Sequence, residues 1–206
     1  AIWKVRAAIS KTRQALWNVL ANLTAFSTEN DSTPPGDWDQ TETYGGGSVT
    51  LETTIKYSGT GSYKHITGGA AYVEALTKKS LAADQPQLWV TFRLYLPASI
   101  NNCIFAKMFT AGGGEVYIGT DASIANKLRI AKEIGGWAAW DESGTSLQVG
   151  SWNEVKFRCV ISTTAGILEG WVNGTKVVEQ TGLNLGTYNI RGGRCGLIGQ
   201  DTTSRT

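Results

Sequence analysis

Residues 87–96 read Gln-Leu-Trp-Val-Thr-Phe-Arg-Leu-Tyr-Leu, and their alternation divides them into two faces. Leu88, Val90, Phe92, Leu94 and Leu96 form an apolar face, while Trp89, Thr91, Arg93 and Tyr95 form a mixed aromatic and cationic one. A strand with this period buries the first face and presents the second. Flat rings cover the CH surfaces of a pyranose, and a guanidinium bonds its hydroxyls or carboxylates, so the second face suits a sugar-binding groove. The same face also suits plain packing beneath the N-terminal segment or a loop. Further along, Gly135-Gly-Trp-Ala-Ala-Trp-Asp contributes Trp137 and Trp140, on opposite faces of a strand or on a loop.

Groups that do acid–base or nucleophilic work are sparse. His65 is the single histidine and the one candidate base. Histidines in strand-like segments more often serve structure. Glu74, Glu115, Glu154, Glu169 and Glu179 are scattered, with no spacing that makes a catalytic carboxylate pair. No G-x-S-x-G elbow accompanies His65. Gly112-Gly-Gly lacks the Lys-Ser/Thr of a phosphate loop and reads as a hairpin turn. Cys103, Cys159 and Cys195 are odd in number and have no zinc-type spacing. Buried inert thiols are expected, with one disulfide plus a leftover thiol as the alternative.

These residues must be positioned by strands. The chain has 206 residues, 25 of them Gly and eight Trp, with turn signals at short intervals. That composition fits an all-β sandwich or barrel. Apolar alternation predicts strands over 48–55, 71–76, 87–96, Cys103–Thr110, 115–119, Leu128–Lys132, 137–141, 152–162, 167–173, 176–180 and 194–199. Asn173-Gly174 fits a two-residue hairpin whose turn residues both take positive φ. Lys plus Arg is 19 against 17 for Asp plus Glu, which leaves no electrostatic footprint for nucleic acid. No run of 18 apolar residues is present to span a bilayer as a helix. The start at Ala1, without Met or a leader pattern, fits a mature product or a fragment.

Residues 1–25 stand apart from the rest. They contain no Gly or Pro, and Ala1-Ile-Trp-Lys-Val-Arg-Ala-Ala-Ile-Ser is echoed fourteen residues later by Ala15-Leu-Trp-Asn-Val-Leu-Ala-Asn-Leu-Thr. Composition favours helix. The positions best kept between the copies, Trp3, Val5, Ala7 and Ile9 against Trp17, Val19, Ala21 and Leu23, favour two strands. The division expected is therefore an extension over 1–25 and a sandwich over 26–206.

Residues 152–181 are the most specific stretch. A strand opening on Trp152 alternates Val155, Phe157, Cys159 and Ile161 with polar residues, and is followed by Trp171-Val-Asn-Gly-Thr-Lys-Val. With Tyr57-Ser-Gly-Thr-Gly-Ser as a turn into the next strand, this resembles the concanavalin A-like and laminin-G-like jelly rolls. These include polysaccharide-binding modules and polysaccharide lyases. The resemblance implies a two-sheet antiparallel sandwich whose concave sheet carries the Trp89–Arg93 face, joined from neighbouring strands by Lys107, Tyr117 and Arg129. It implies a non-catalytic glycan-binding or structural module, placed outside the cell, on its surface or on a virion. A lyase acting on a uronate polymer is an alternative, although the alginate-lyase motifs and the E-x-D-x-x-E of related glucanases are absent. It further implies a structural Ca²⁺, for which Glu29, Asn30, Asp31 and Asp201 offer hard oxygens; a solvated acidic turn is the plainer alternative. The paired Asp residues of the family's closing strand do not appear by Thr206; a sandwich without that strand has a vacant sheet edge, and a chain boundary at this point is the plainer alternative. The repeats resemble those of phage and surface proteins. Trp3, Val5, Ala7, Ile9, Trp17 and Val19 have the period for adding strands to such an edge, which gives self-association by strand donation as a further alternative.

Overall fold

The computed structural model describes residues 33–34, 36–67, 73–121, 123–140 and 146–199. The residues expected to mediate assembly (Trp3, Val5, Ala7, Ile9, Trp17, Val19) and to hold calcium (Glu29, Asn30, Asp31, Asp201) lie outside these ranges. Thirteen strands and no helix make up the described chain, in antiparallel sheets. The larger sheet has seven strands in the order β1 (Gln40–Tyr44), β4 (Val73–Gln85), β13 (Ile190–Gly199), β6 (Cys103–Thr110), β7 (Glu115–Thr120), β8 (Leu128–Lys132) and β9 (Ala138–Trp140). The smaller has four, in the order β12 (Thr175–Leu183), β11 (Gly166–Val172), β10 (Trp152–Val160) and β5 (Gln87–Tyr95). β2 (Ser48–Glu52) and β3 (Ser62–Ile66) pair separately.

The core lies between the two sheets. Leu88, Val155, Phe157, Cys159, Leu168 and Val172 from the smaller sheet meet Phe105, Met108, Val116, Ile118, Leu128 and Ile130 from the larger. Each set is every second residue of its strand, apart from irregularities such as the bulge between Ile104 and Ala106. Gly170 allows the sheets to approach, because a Cβ there would sit 2.8 Å from Ile130 Cδ1. The Asn173–Gly174 hairpin forms as expected, with φ of 50° and 82°. Gly113, at φ 82°, serves the β6–β7 turn.

Two strand expectations need correction. β1 has no counterpart among the expected strands, because Gln-Thr-Glu-Thr-Tyr is an edge strand with both faces largely exposed and no apolar period. β4 continues nine residues beyond the expected end at Leu76, to Gln85. Its second half is polar because one side of it carries charges that pair across strands, not core. The chain passes from the larger sheet to the smaller at Pro86, where β4 ends and β5 begins.

The closing strand and the vacant edge concern residues beyond Gly199, outside the described ranges. β13 lies between β4 and β6, in the interior of the larger sheet. Among the described residues the edges are β1 and β9 of one sheet and β12 and β5 of the other. All three cysteines are free, so the disulfide alternative is not realised. Burial pushes the Cys159 and Cys195 thiols up to about 12, which makes them inert near neutrality.

Candidate functional site

The outer face of the smaller sheet is built by cross-strand partners. Trp89 is opposite Arg158, Thr91 opposite Lys156, Arg93 opposite Glu154 and Tyr95 opposite Trp152. On the next strand Lys156 is opposite Trp171 and Arg158 opposite Glu169. Directly opposed residues share a face, so the polar half of β10 is enclosed by the aromatic halves of β5 and β11. Val90, Phe92 and Leu94 pack against the core on the other side.

On this face the Trp89 and Trp171 rings lie 5.4 Å apart at 32°. Lys156 Nζ sits 4.5 Å from the Trp89 centroid and 5.4 Å from that of Trp171. Arg158 lies 5.2 Å from Trp89, and its guanidinium donates to Glu169 at 2.9 Å and to Gln87 at 3.0 Å. Lys176 pairs with Glu169 at 2.6 Å and with Glu179 at 3.0 Å. Burial acts to raise the Glu169 carboxyl, but Lys176 and Arg158 outweigh it and hold the group below the usual carboxylate range. At the other end of the face Arg93 pairs with Glu154 and lies 4.6 Å from the Tyr57 ring. Tyr57 and Tyr95 both lie against Trp152, at 5.8 and 5.6 Å. The result is a strip of Trp89, Trp171, Trp152, Tyr95 and Tyr57 interleaved with cations.

The expected grouping is only partly realised. Trp89, Arg93 and Tyr95 share this face. Lys107, Tyr117 and Arg129 do not join them: they project from β6, β7 and β8 of the other sheet. β5 is an edge strand that pairs with β10 alone, and the chain crosses to the larger sheet before β6. Trp137 lies beside Tyr117, at 6.0 Å, on the outer face of the larger sheet. Trp140 points the other way and packs against the core. Trp171, Trp152, Lys156 and Arg158 complete the Trp89 strip and are absent from the expected set. Their signal is the polar half of the β10 alternation and the Trp that follows Gly170, but only strand pairing joins them to Trp89.

The larger sheet carries an ion-paired network on its outer face. Lys107, 8% exposed, has Nζ 3.3 Å from Glu74 and 3.4 Å from Glu115. Arg194 bonds Glu115 at 2.9 Å and also pairs with Glu42. Tyr117 is pushed well above the ordinary tyrosine range, first by burial and then by hydrogen bonding to Glu133 and Glu115. Its hydroxyl therefore stays protonated at any ordinary pH. Each cation of this network already has a carboxylate of the chain. Lys107→Met should cost about 2 kcal/mol of stability, since it removes a charge-assisted bond from each of Glu74 and Glu115, while Arg194 still holds Glu115. Urea denaturation checks this: a loss under about 1 kcal/mol would mean the network carries little.

His65 is enclosed where β3 meets β4 and β13. Its Nδ1–H donates to the Ala75 carbonyl at 2.9 Å. Burial lowers its pKa to about 4, and the hydrogen bond only partly opposes this. The ring is neutral and committed to structure on one nitrogen. It helps to line a pocket of about 190 Å³ with Tyr63, Tyr95, Leu96, Trp152 and Leu197, at the end of the aromatic strip.

No family model matches the chain, and no curated protein matches it. Solved structures do. An endo-β-1,4-glucuronan lyase from the fungus Trichoderma reesei matches with a TM-score of 0.60 at 15% identity, over 84% of each chain. The alginate lyase Aly36B matches with a TM-score of 0.53 at 14% identity, over 88% of this chain and 87% of that one. The chain has the β-sandwich fold of these two lyases. At such identities the likeness is one of fold, and the residues that act must be read from this chain's own faces.

Proposed function

We propose that the protein is a carbohydrate-binding β-sandwich module and that its binding surface is the outer face of the smaller sheet. The observation that carries this reading is the pair of indoles, Trp89 and Trp171, held side by side around Lys156, all three half-buried on the outer face of the sheet. Aromatic rings fixed on a rigid sheet give sugar rings a platform at little entropic cost, because strand pairing already limits their rotamers. Arg93, Arg158 and Lys176 are tied into ion pairs, and no group of the face is poised as an acid–base couple, so the face suits binding without turnover. The fold of the two lyases fits a polysaccharide as the ligand.

Affinity electrophoresis in gels cast with a panel of polysaccharides tests the reading. The wild-type protein is expected to be retarded by at least one polymer, with retardation about tenfold weaker in Trp171→Ala. Unchanged mobility of the wild type in every gel would remove the proposal.

A second reading, a polysaccharide lyase, draws on the buried Lys107–Glu115–Tyr117 cluster of the larger sheet and on the same structural likeness. A uronate carboxylate there would have to displace Glu74 or Glu115 from Lys107. Its test is the ultraviolet absorbance of the unsaturated product on polyuronates. Activity lost in Tyr117→Phe would favour this reading over pure binding.

A further inference from the structure

Lys156 is electrostatically unlike the other cations of the aromatic strip. Arg93 is neutralised by Glu154, Arg158 by Glu169, and Lys176 by Glu169 and Glu179. The face therefore holds four cations against three carboxylates, and among the described residues Lys156 is the cation without a carboxylate partner. Its cross-strand partners are Thr91 and Trp171, neither of which bears charge. Its ammonium is instead held over the faces of Trp89 and Trp171.

This arrangement has a chemical consequence. A lysine on an open strand normally wanders through many rotamers, so a ligand that uses it must order it first. Here two ring quadrupoles fix the ammonium in place. The positive charge is preorganised in the middle of the platform, and its electrostatic demand is left unmet. A neutral sugar stacked on these indoles would cover the ammonium without offering it a counter-charge, which costs desolvation. A sugar that carries an anion beside its ring face supplies both contacts at once.

We propose, on the reading of this face as a glycan site, that Lys156 selects an anionic glycan. The carboxylate or sulfate ester of the sugar pairs with the ammonium while the apolar ring face rests on Trp89 or Trp171. Thr91, exposed and directly opposite Lys156, provides a second handle on the same charge. A carboxylate placed there would neutralise Lys156 without disturbing the indoles.

The test is affinity electrophoresis of the full chain in four gels: alginate, alginate whose carboxyls have been reduced to alcohols, a sulfated galactan, and a neutral β-glucan. The variants are Lys156→Gln, Lys156→Arg and Thr91→Glu, each checked by circular dichroism for an unchanged fold. The wild type is expected to be retarded at least about fivefold more strongly by an anionic polymer than by the neutral ones. Lys156→Gln and Thr91→Glu should erase that preference, and Lys156→Arg should keep it. Preference for alginate over its reduced form identifies a carboxylate, and preference for the galactan alone identifies a sulfate ester. Equal retardation by native and reduced alginate and by the galactan overturns the anion assignment while leaving glycan binding intact. A preference that survives in both Lys156→Gln and Thr91→Glu overturns the role of Lys156. No retardation in any gel overturns the glycan site itself and this inference with it.

Discussion

Phe157→Ala is expected to destabilise the protein by about 3–5 kcal/mol, while Trp89→Ala, on the adjacent strand of the same sheet, costs about 1 kcal/mol and, on the proposed glycan reading, weakens retention about tenfold. Phe157 is completely buried, projects from β10 into the core and lies opposite Val90 on β5. Removing its ring leaves a cavity that a strand paired on both sides cannot collapse to fill. Trp89 projects to the other side, where its neighbours are Trp171, Lys156 and Arg158. Losing it removes contacts at the surface and half of the platform. Urea denaturation and affinity electrophoresis of the two variants separate the roles. If Trp89→Ala unfolded the chain and Phe157→Ala did not, the assignment of the two faces would be reversed.

Acid is expected to weaken the fold through His65 before the carboxylates contribute. Burial holds the folded-state pKa of His65 at about 4, against 6.5 for the exposed ring. Between these values the unfolded chain binds a proton that the folded chain refuses, so stability rises with pH. The contribution is complete above about pH 6.5 and is lost as pH falls to about 4, for a total on the order of 3 kcal/mol. Glu42 acts in a lower window. Burial tends to raise its pKa, but Arg194, Gln40 and Lys78 outweigh that and hold it below its ordinary 4.5. Its stabilisation is present above that value and is lost as pH falls through the folded pKa. Denaturation midpoints measured across this range should decline between pH 6.5 and 4 in the wild type. The decline in that interval should be shallower in His65→Asn, whose amide nitrogen stands where Nδ1 does and can still donate to the Ala75 carbonyl. A flat profile in the wild type would mean that the imidazole is hydrated in the folded protein.

Several features of the chain are legible in the order of its residues. The alternation of residues 87–96 assigns Leu88, Val90, Phe92 and Leu94 to the core side and Trp89, Arg93 and Tyr95 to the other, and the structure has them so. Asn173-Gly174 announces its hairpin, and Cys103–Thr110 and Leu128–Lys132 announce strands with the bounds observed. These are local properties. Side chains alternate with a period of two whatever the neighbours are, and a tight turn selects residues that accept positive φ.

Hidden from such a reading is anything without an apolar period and anything that depends on strand order. β1 and the second half of β4 are polar on the face that would have revealed them, because their charges are matched across strands: Glu42 with Lys78 and Arg194, Asp84 with Arg191. Lys107, Tyr117 and Arg129 have the residue types of neighbours of Trp89 and belong to the opposite sheet. Trp171 and Lys156 lie far along the chain and meet it. A period-two pattern states which side of its own sheet a residue occupies. It carries no information about which strand lies alongside, since that is decided by the crossovers at Pro86 and before Cys103 and by how the two apolar faces pack. The sequence by itself therefore determined the class of fold and the composition of each strand's two faces, whereas the tertiary pairing of β5, β10 and β11 decided that two tryptophans and an unneutralised lysine would meet.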